Sequence, residues 1–181
     1  MPTLHLPSDR RPTRRHLLAL TGLGAVSLLT ACDEDSPPVT SATTTPADGD
    51  LVTMTVFKDV SCGCCTGWVT HAEENGFAVT VEHPDNLATV WTEYDIPLDL
   101  QSCHLALTKS GDYFIGHVPA KFVHEYLAAP PAGARGLSVP RMPVGTPGME
   151  QGDQFDPYEV LLLTDGEPQV YAEVTAASQQ V

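Results

Sequence analysis

Three cysteines, Cys62, Cys64 and Cys65, lie within four residues in the stretch SCGCCTGW at residues 61–68. Before this stretch, residues 51–57 (LVTMTVF) have the β-branched and apolar composition of a strand. After it, apolar residues recur at the spacing of one helix face, which predicts a helix from Cys65 onward. The cysteines are therefore expected at the N-terminus of a helix, where free N–H groups and the helix dipole favour the thiolate.

The order of the predicted elements indicates the fold class. Periodicity and turn signals predict strands at residues 77–81, 103–108, 113–118, 158–163 and 169–174, and helices at residues 87–94 and from residue 119 to the Pro130-Pro131 pair. Asp85 is the expected N-cap of the second helix, and Pro119 is the expected first residue of the third. The order predicts an α/β, thioredoxin-like three-layer fold with a mixed β-sheet, followed by an irregular Met- and Pro-containing loop and a C-terminal β-hairpin.

The N-terminus has the layout of a twin-arginine export signal. Arg14 and Arg15 precede an apolar run at residues 17–29, which is too short to span a bilayer, where about 20 residues are needed. The run ends in Leu-Thr-Ala before Cys32. This ending resembles a lipoprotein processing box and predicts lipidation of Cys32. An ordinary signal peptide with an incidental cysteine is the alternative.

Four segments are predicted along the chain. Residues 1–31 form the signal peptide, and residues 32–50 form the lipidated cysteine with an acidic, Pro- and Thr-rich tether that is too polar to fold. Residues 51–175 form the thioredoxin-like domain, which contains the clustered cysteines, and residues 176–181 form a disordered tail. The predicted location is periplasmic or otherwise extracytoplasmic, with the protein held at a membrane only through its lipid anchor.

The part of the chain that follows the signal peptide is strongly acidic. Of the 23 acidic residues, 22 follow residue 31, together with only five of the nine Lys and Arg residues. This charge opposes binding to nucleic acid and to anionic membrane surfaces. The sequence has neither a phosphate-binding glycine loop nor a Ser-His-Asp arrangement, so the cysteines carry the functional signal.

The clustered thiols allow three interpretations. Cys62 and Cys65 have the C-x-x-C spacing of thiol–disulfide oxidoreductases, in which one thiol attacks and the other resolves. Cys64 complicates that role, because a third thiol beside the pair allows wrong disulfides to form. Structural disulfides are the second interpretation, although clustered cysteines close no useful loop. A soft-metal site is the third, since thiolates select Cu(I) and also bind zinc.

Further candidate ligands lie outside the cluster. Cys103 begins the third predicted strand, which lies beside the first strand in a thioredoxin-like sheet. His104 follows it, and because neighbours on a strand point to opposite faces, both reach one site only at a bulge or a loop start. His117 lies just before a helix, and Met142 and Met149 in the Pro-rich loop are candidate thioether ligands or a lid. Three other histidines are expected on the solvated surface: His71, His83 and His124.

The ordered set of motifs resembles the CopG-type family of exported bacterial metal-binding proteins, which is associated with copper resistance and was long described as a domain of unknown function. The motifs are VSCGCCTGW at residues 60–68, NGF at 75–77, LQSCH at 100–104, GHVP at 116–119, GL at 136–137, VPRMP at 139–143 and GME at 148–150. Together they extend over nearly all of residues 54–174. Cys32 and the acidic tether lie outside the resemblance and indicate an anchored form.

The resemblance implies a thioredoxin-like fold and a role in copper resistance, through copper redox interconversion or sequestration outside the cytoplasm. The implied copper ligands are the thiols of Cys62, Cys64, Cys65 and Cys103. The expected cofactor is copper as Cu(I), or as Cu(II) if His104 or His117 completes the site, and zinc is less favoured. The expected partners are copper ions and copper efflux or oxidase proteins of the same compartment. The alternative function is a thiol–disulfide oxidoreductase that uses Cys62 and Cys65.

Overall fold

The structure, a computed structural model, describes residues 51–181. The export signal, the lipidated Cys32 and the tether, which the sequence predicts within residues 1–50, lie outside the described residues. Within residues 51–181, none of the helices has the length and apolar character that a membrane span requires.

Seven strands and three α-helices make up this part of the chain. In chain order they are β1 (Val52–Lys58), α1 (Gly63–Glu74), β2 (Phe77–Glu82), α2 (Leu87–Glu93), β3 (His104–Thr108), β4 (Tyr113–Ile115), α3 (Ala120–Ala128), β5 (Ala134–Ser138), β6 (Tyr158–Thr164) and β7 (Gln169–Val174). A short 3-10 helix, Ala177–Gln179, follows β7.

All seven strands form one mixed sheet in the order β2-β1-β3-β4-β5-β6-β7. The pairs β1–β2 and β4–β5 are parallel, and the other four pairs are antiparallel. The hairpin of β6 and β7 extends the sheet beyond β5. The predicted α/β class with a mixed sheet is confirmed, while the thioredoxin-like assignment stays a prediction.

The helices cover both faces of the sheet. Successive side chains of a strand point to opposite faces, and in β1 Met54 and Val56 join one hydrophobic cluster while Phe57 packs against a second. The first cluster contains Trp68 of α1 together with buried residues of α3, and the second contains Trp91 of α2. Helices α1 and α3 therefore lie on one face and α2 on the other, which gives three layers and buries the sheet between them.

Strand β5 lies inside a segment that the sequence analysis treats as irregular. Gly136 in its middle weakens the strand signal, because glycine has no side chain to pack. In the structure Gly136 has a φ of 148° and faces Tyr113 of β4, whose carbonyl a Cβ at this position would strike. The glycine is needed for the close approach of two strands, and single-residue propensity cannot reveal that need.

Several predicted boundaries shift by a few residues. The N-cap of α2 is Asn86, whose side chain accepts a hydrogen bond from the Ala88 N–H at 2.9 Å, so the expectation of Asp85 is wrong. Pro119 is the N-cap of α3 and not its first helical residue. Strand β4 ends at Ile115, short of the predicted residue 118, because Gly116 at a φ of 71° turns the chain out of the sheet.

The C-terminal segment 176–181, for which the sequence predicts disorder, packs against the domain in the structure. It contains the 3-10 helix, and the side chain of Gln180 is 7% exposed. The Gln180 Nε2 donates to the carbonyl of Gly145 at 2.8 Å, and its Oε1 accepts from the Tyr158 hydroxyl at 2.9 Å. A polar tail of this length gives no periodic signal, so a buried side chain within it escapes sequence reasoning.

Candidate metal centre

A tight turn joins β1 to α1 and sets the first cysteine in place. The Asp59 carboxylate accepts from the Ser61 N–H at 2.7 Å, and the Asp59 carbonyl accepts from the Cys62 N–H at 3.1 Å. Asp side chains stabilise such turns by this local hydrogen bond. Cys62 is the N-cap of α1, and its sulfur accepts from the Cys65 N–H at 3.3 Å. The three clustered cysteines therefore occupy the N-terminal end of α1, as the sequence predicts.

Cys62 and Cys65 form a disulfide with a Cα–Cα distance of 5.4 Å. Cys64 is a free cysteine, and its sulfur lies 3.5 Å from the sulfur of Cys62. The structure thus represents the oxidised protein. The thiolate is the form of cysteine that ligates metal, so the two disulfide sulfurs become ligands of that kind only after reduction.

The pairing of β3 with β1 places the fourth cysteine, Cys103, beside the three cysteines at the N-terminal end of α1. Lys58 is the register partner of His104. Cys103 lies in the bend just before β3, and it is therefore next to the end of β1, where the turn to α1 begins. The sulfurs of the four-cysteine cluster all lie within 4.8 Å of one another. The members of this cluster are Cys62, Cys64, Cys65 and Cys103.

Two buried histidines flank Cys103 and complete a second group of candidate ligands. The Cys103 sulfur lies 3.0 Å from the Nε2 of His117 and 3.3 Å from the Nδ1 of His104. Both imidazoles can approach the sulfur because Cys103 precedes the strand, so the alternation of strand side chains does not separate it from His104. Cys103 therefore belongs both to the four-cysteine cluster and to this Cys-His-His group.

A backbone carbonyl fixes the tautomer of His117. Its Nδ1 lies 2.7 Å from the Pro147 carbonyl oxygen, which can only accept a hydrogen bond, so Nδ1 carries the proton. In the neutral ring, Nε2 then presents its lone pair to Cys103. This is the arrangement found in metal-binding histidines, whose second nitrogen donates to a carbonyl or carboxylate.

His104 is held by packing and by the 3.3 Å contact of its Nδ1 with the Cys103 sulfur. Its ring centroid lies 4.6 Å from that of Trp68 and 5.1 Å from that of His117. Within the described part of the chain, its buried Nε2 has no hydrogen-bond partner. Buried polar atoms usually have a partner, so the metal-free protein leaves His104 incompletely satisfied.

Burial determines the protonation states of Cys103, His104 and His117. It raises the pKa of the Cys103 thiol to about 12, with the negative charge of Cys64 as a second cause. Burial also lowers the pKa of His117, and it lowers the pKa of His104 to well below its usual range. At neutral pH the metal-free group therefore consists of a thiol and two neutral imidazoles. A metal ion that binds here displaces the thiol proton.

The Pro-rich loop packs directly on the thiol end of α1. A Cβ at Gly148 would lie 2.5 Å from the Cys64 carbonyl oxygen and 2.6 Å from the Trp68 nitrogen, and a Cβ at Gly67 would lie 2.9 Å from the Gly148 Cα. Both positions therefore require glycine. The loop also contacts the chain just before Cys103, because the Ser102 hydroxyl donates to the Arg141 carbonyl at 2.9 Å.

The two methionines of this loop differ in exposure. Met142 is 49% exposed, whereas Met149 is half-buried, and its backbone N–H donates to the Thr146 carbonyl at 2.8 Å. Their role as thioether ligands or as a lid stays a prediction.

Three histidines that the sequence analysis treats as solvated make hydrogen bonds to backbone. The Nε2 of His71 accepts from the Ala120 N–H at 3.0 Å, at the start of α3. His83 lies 3.1 Å from the Lys58 carbonyl, and His124 lies 2.7 Å from the Asn75 carbonyl. Burial lowers the pKa of His71. The expectation of a solvated ring is therefore wrong for His71.

Sequence reasoning missed two residues that support the centre. Lys58 is only 3% exposed, and its ammonium donates to the Asp59 carbonyl at 3.0 Å in the turn that leads to Cys62. A single lysine at the end of an apolar strand is the only signal in the sequence. Pro147 acts through its backbone carbonyl, and no residue type signals that role.

Comparisons with known proteins identify relatives of this chain. The family described as "Protein of unknown function, DUF411" matches residues 100–149. The solved structure of the copper resistance protein CopG in form 2 is 38% identical to the chain, with a TM-score of 0.65, and the match covers 70% of this chain and 100% of that one. CopG in form 1 is 38% identical, with a TM-score of 0.64 and coverage of 69% and 98%. No curated protein matches the chain.

The mixed α/β fold and the cluster of sulfur and imidazole ligands define a protein with a site that could hold a metal ion. The extent of the match with CopG is decisive for the family. The chain belongs to the CopG family of copper resistance proteins, which confirms the resemblance seen in the motifs.

Proposed function

We propose that this protein is an extracytoplasmic copper-handling protein that binds Cu(I) through the reduced four-cysteine cluster. One observation carries the proposal: four sulfurs lie within 4.8 Å of one another in a member of a copper resistance family. Thiolates are soft ligands that favour Cu(I) over hard cations. Zinc is the competing ion, because it also accepts thiolate and imidazole ligands.

Reduction of the Cys62–Cys65 disulfide prepares the site. The disulfide takes up two electrons and two protons to give two thiols, and a dithiol reductant supplies both while it becomes a disulfide itself. Cu(I) then displaces the thiol protons as it binds. Adjacent Cys64 and Cys65 can point toward different copper ions, so a cluster with more than one copper bridged by sulfur fits this sequence.

The same sulfurs allow copper redox interconversion. Oxidation of the two thiols of Cys62 and Cys65 to the disulfide releases two electrons and two protons. The electrons reduce two Cu(II) ions to Cu(I). His104 and His117 suit the Cu(II) form, because imidazole is a good ligand of that ion. Met142 and Met149 are proposed as thioether ligands of Cu(I) or as a cover over the site.

The proposed location follows from the N-terminal sequence. A twin-arginine signal at residues 1–31 directs export, and lipid on Cys32 anchors the chain to a membrane through the tether of residues 32–50. Copper efflux or oxidase proteins of the same compartment are the proposed partners. Growth with radiolabelled palmitate tests the anchor: label should appear in the wild-type protein and be absent from Cys32→Ser.

Anaerobic titration of the fully reduced protein with Cu(I) tests copper binding. We expect at least one tightly bound copper per chain, and we expect Cys64→Ser and Cys103→Ser to weaken binding strongly. Cys32→Ser is the matched control, because it removes the one cysteine outside the described domain and should leave copper binding unchanged. Less than one copper per chain, or tight binding that survives loss of both Cys64 and Cys103, would contradict the proposal.

A thiol–disulfide oxidoreductase is the second candidate, and the Cys62–Cys65 disulfide at the N-terminus of α1 favours it. Helix N-termini lower the pKa of a cysteine and so activate it for attack. This function predicts that Cys64→Ser retains disulfide reductase activity toward insulin, while Cys62→Ser loses it. The copper function predicts the opposite importance for Cys64, so one variant distinguishes the two.

A further inference from the structure

The side chain of Gln180 is buried between the Pro-rich loop and strand β6. It is 7% exposed, and both ends of its amide are in use. Its Nε2 donates to the Gly145 carbonyl at 2.8 Å, and its Oε1 accepts from the Tyr158 hydroxyl at 2.9 Å. An amide with a donor partner on one side and an acceptor partner on the other has only one satisfactory orientation. The contact therefore fixes the loop at Gly145 relative to the sheet.

Hydrogen bonds of the neighbouring residue, Gln179, hold the C-terminal segment 176–181 so that Gln180 reaches this position. The Gln179 side chain accepts from the N–H groups of Thr175 and Ala176, at 2.6 Å and 3.0 Å. The Lys121 ammonium donates to the Gln179 carbonyl at 3.2 Å. These bonds close the 3-10 helix against the end of β7 and against α3. The last residues of the chain are thus built into the domain.

Tyr158 requires the acceptor that Gln180 provides. The tyrosine is buried, and burial raises the pKa of its hydroxyl well above the ordinary value, so it remains a phenol with a proton to donate. A buried donor without an acceptor costs about 1–3 kcal/mol. The Oε1 of Gln180 is the acceptor for this hydroxyl. The hydrogen bond from Tyr158 therefore determines the orientation of the Gln180 amide.

A short path of hydrogen bonds leads from Gly145 to the candidate metal centre. The Gly145 N–H donates to the Met149 carbonyl at 2.9 Å, and the Met149 N–H donates to the Thr146 carbonyl at 2.8 Å. These bonds close a compact turn that contains Pro147. The Pro147 carbonyl accepts from the His117 Nδ1 at 2.7 Å, and the His117 Nε2 lies 3.0 Å from the Cys103 sulfur.

We propose that Gln180 is a positioning residue for His117, which acts by holding the 145–149 turn so that the Pro147 carbonyl keeps His117 in the Nδ1–H tautomer. The effect on copper rests on the function proposed above, but the effect on the imidazole does not. Partners that orient a ligand histidine typically change metal affinity about 10- to 100-fold when they are lost. Gln180 acts one step further away, so the low end of that range, about tenfold, is expected.

The tautomer of His117 is measured in the metal-free, oxidised protein by long-range proton–nitrogen NMR correlation. Wild type should show the Nδ1–H pattern alone. Gln180→Met, which keeps the length of the side chain but removes both hydrogen bonds, should show a mixture with the Nε2–H pattern. Gln180→Glu should behave like Gln180→Met, because a carboxylate accepts from Tyr158 but cannot donate to Gly145. Tyr158→Phe leaves the Gln180 donor in place and should have a smaller effect.

Ser178→Ala is the matched control, because Ser178 is an exposed residue of the same tail. It should leave the His117 tautomer unchanged. A Gln180→Met protein that unfolds cooperatively but keeps the wild-type tautomer overturns the proposal. An equal shift in Ser178→Ala also overturns it, because the effect would then come from the tail in general.

The second readout is the dissociation rate of Cu(I) from the reduced protein into a chromogenic Cu(I) chelator. This rate should respond to His117, because its Nε2 lies 3.0 Å from the sulfur of Cys103, a member of the four-cysteine cluster. We expect the rate to rise about tenfold in Gln180→Met and to stay at the wild-type value in Ser178→Ala. Wild-type protein that fails to bind Cu(I) contradicts the proposed function, while the tautomer measurement still decides the role of Gln180. An unchanged copper dissociation rate in a variant with a shifted tautomer refutes the metal-site role of Gln180.

Discussion

The candidate metal centre has two sides that differ in chemistry. The helix side consists of Cys62, Cys64 and Cys65 at the start of α1, and two of its three sulfurs are joined in a disulfide. The strand side consists of Cys103, His104 and His117, which contribute one thiol and two buried imidazoles. A change of redox state alters the ligands of the helix side directly, but it leaves the imidazoles of the strand side as they are.

This difference separates two tasks within one small site. The helix side controls how many thiolates are available, because each disulfide removes two of them. The strand side provides candidate ligands whose orientation is fixed by the surrounding protein, through the Pro147 carbonyl and the Trp68 ring. The Cys103 sulfur lies within 4.8 Å of the three helix-side sulfurs and also of the two strand-side imidazoles, so it links the two sides. Copper uptake should therefore depend on redox state mainly through the helix side.

The largest expected effect is the difference in Cu(I) affinity between the oxidised and reduced proteins. Oxidation removes two of the four thiolates, and loss of direct ligands should exceed the roughly 10- to 100-fold cost of losing an outer partner. Competition with a chromogenic Cu(I) chelator, before and after anaerobic treatment with a dithiol, measures this difference. Iodoacetamide-blocked reduced protein is the control, and it should bind Cu(I) more weakly than the oxidised form, because alkylation removes all four thiolates whereas oxidation leaves Cys64 and Cys103 free. Equal affinity in both redox states would show that the strand side alone binds copper.

The helix side was largely predictable from the sequence because its information is local. The strand-like run before Cys62 and the helical period after Cys65 place the thiols at a helix N-terminus within a few residues of chain. The turn residues between them, Asp59 and Ser61, form hydrogen bonds with each other and not with distant groups. Local periodicity and turn chemistry suffice for such a unit.

The strand side was predictable only as a set of residue types. Cys103, His104 and His117 were identified as candidates, but their approach depends on the register of Lys58 with His104 and on the shortness of β4. The partner of His117 is the carbonyl of a proline that lies 30 residues away in the sequence. Backbone groups carry no sequence signal. Two other features also depend on contacts with backbone groups, so the sequence predicts neither of them. They are the strand that contains Gly136, which approaches the backbone of Tyr113, and the buried Gln180, which donates to the Gly145 carbonyl.

The contact of Gly148 with α1 joins the two sides and gives the second-largest expected effect. Gly148→Ala places a Cβ 2.5 Å from the Cys64 carbonyl oxygen at a φ of 85°, where L-residues are strained. Strain and overpacking each cost about 1–3 kcal/mol, so the free energy of unfolding should fall by about 3 kcal/mol. Urea denaturation of the metal-free protein measures this loss.

Gly76→Ala is the matched control for Gly148→Ala. Gly76 has a φ of 86°, almost the same as that of Gly148, but a Cβ there would have no atom within 4 Å. Its cost is expected to be backbone strain alone, about 1–2 kcal/mol. Similar losses in the two variants would mean that the loop moves away from α1 easily, and the two sides would then be only loosely coupled.

A smaller effect, on the pH dependence of stability, is expected from His71, which connects α1 to the start of α3. Its Nε2 accepts from the Ala120 N–H, so the folded state requires the neutral ring, and burial lowers its pKa. Histidine in the unfolded chain has a pKa of about 6.5. As the pH falls below that value, His71 becomes protonated in the unfolded chain, whereas in the folded protein it stays neutral down to a lower pH. The contribution of His71 to the free energy of unfolding is therefore complete above about pH 6.5 and declines as the pH falls toward 5.

Replacement of His71 separates this contribution from those of His104 and His117, the histidines of the candidate metal centre. In metal-free, oxidised protein, urea denaturation between pH 7.5 and pH 5 should give a shallower pH dependence for His71→Gln than for wild type, because one proton-linked group is gone. His124→Gln is the control, since it removes an exposed imidazole from α3. If His71→Gln keeps the full wild-type slope, the acid sensitivity arises on the strand side, at His104 and His117. The junction between α1 and α3 would then be insensitive to pH, and the two sides would differ in proton linkage as well as in redox chemistry.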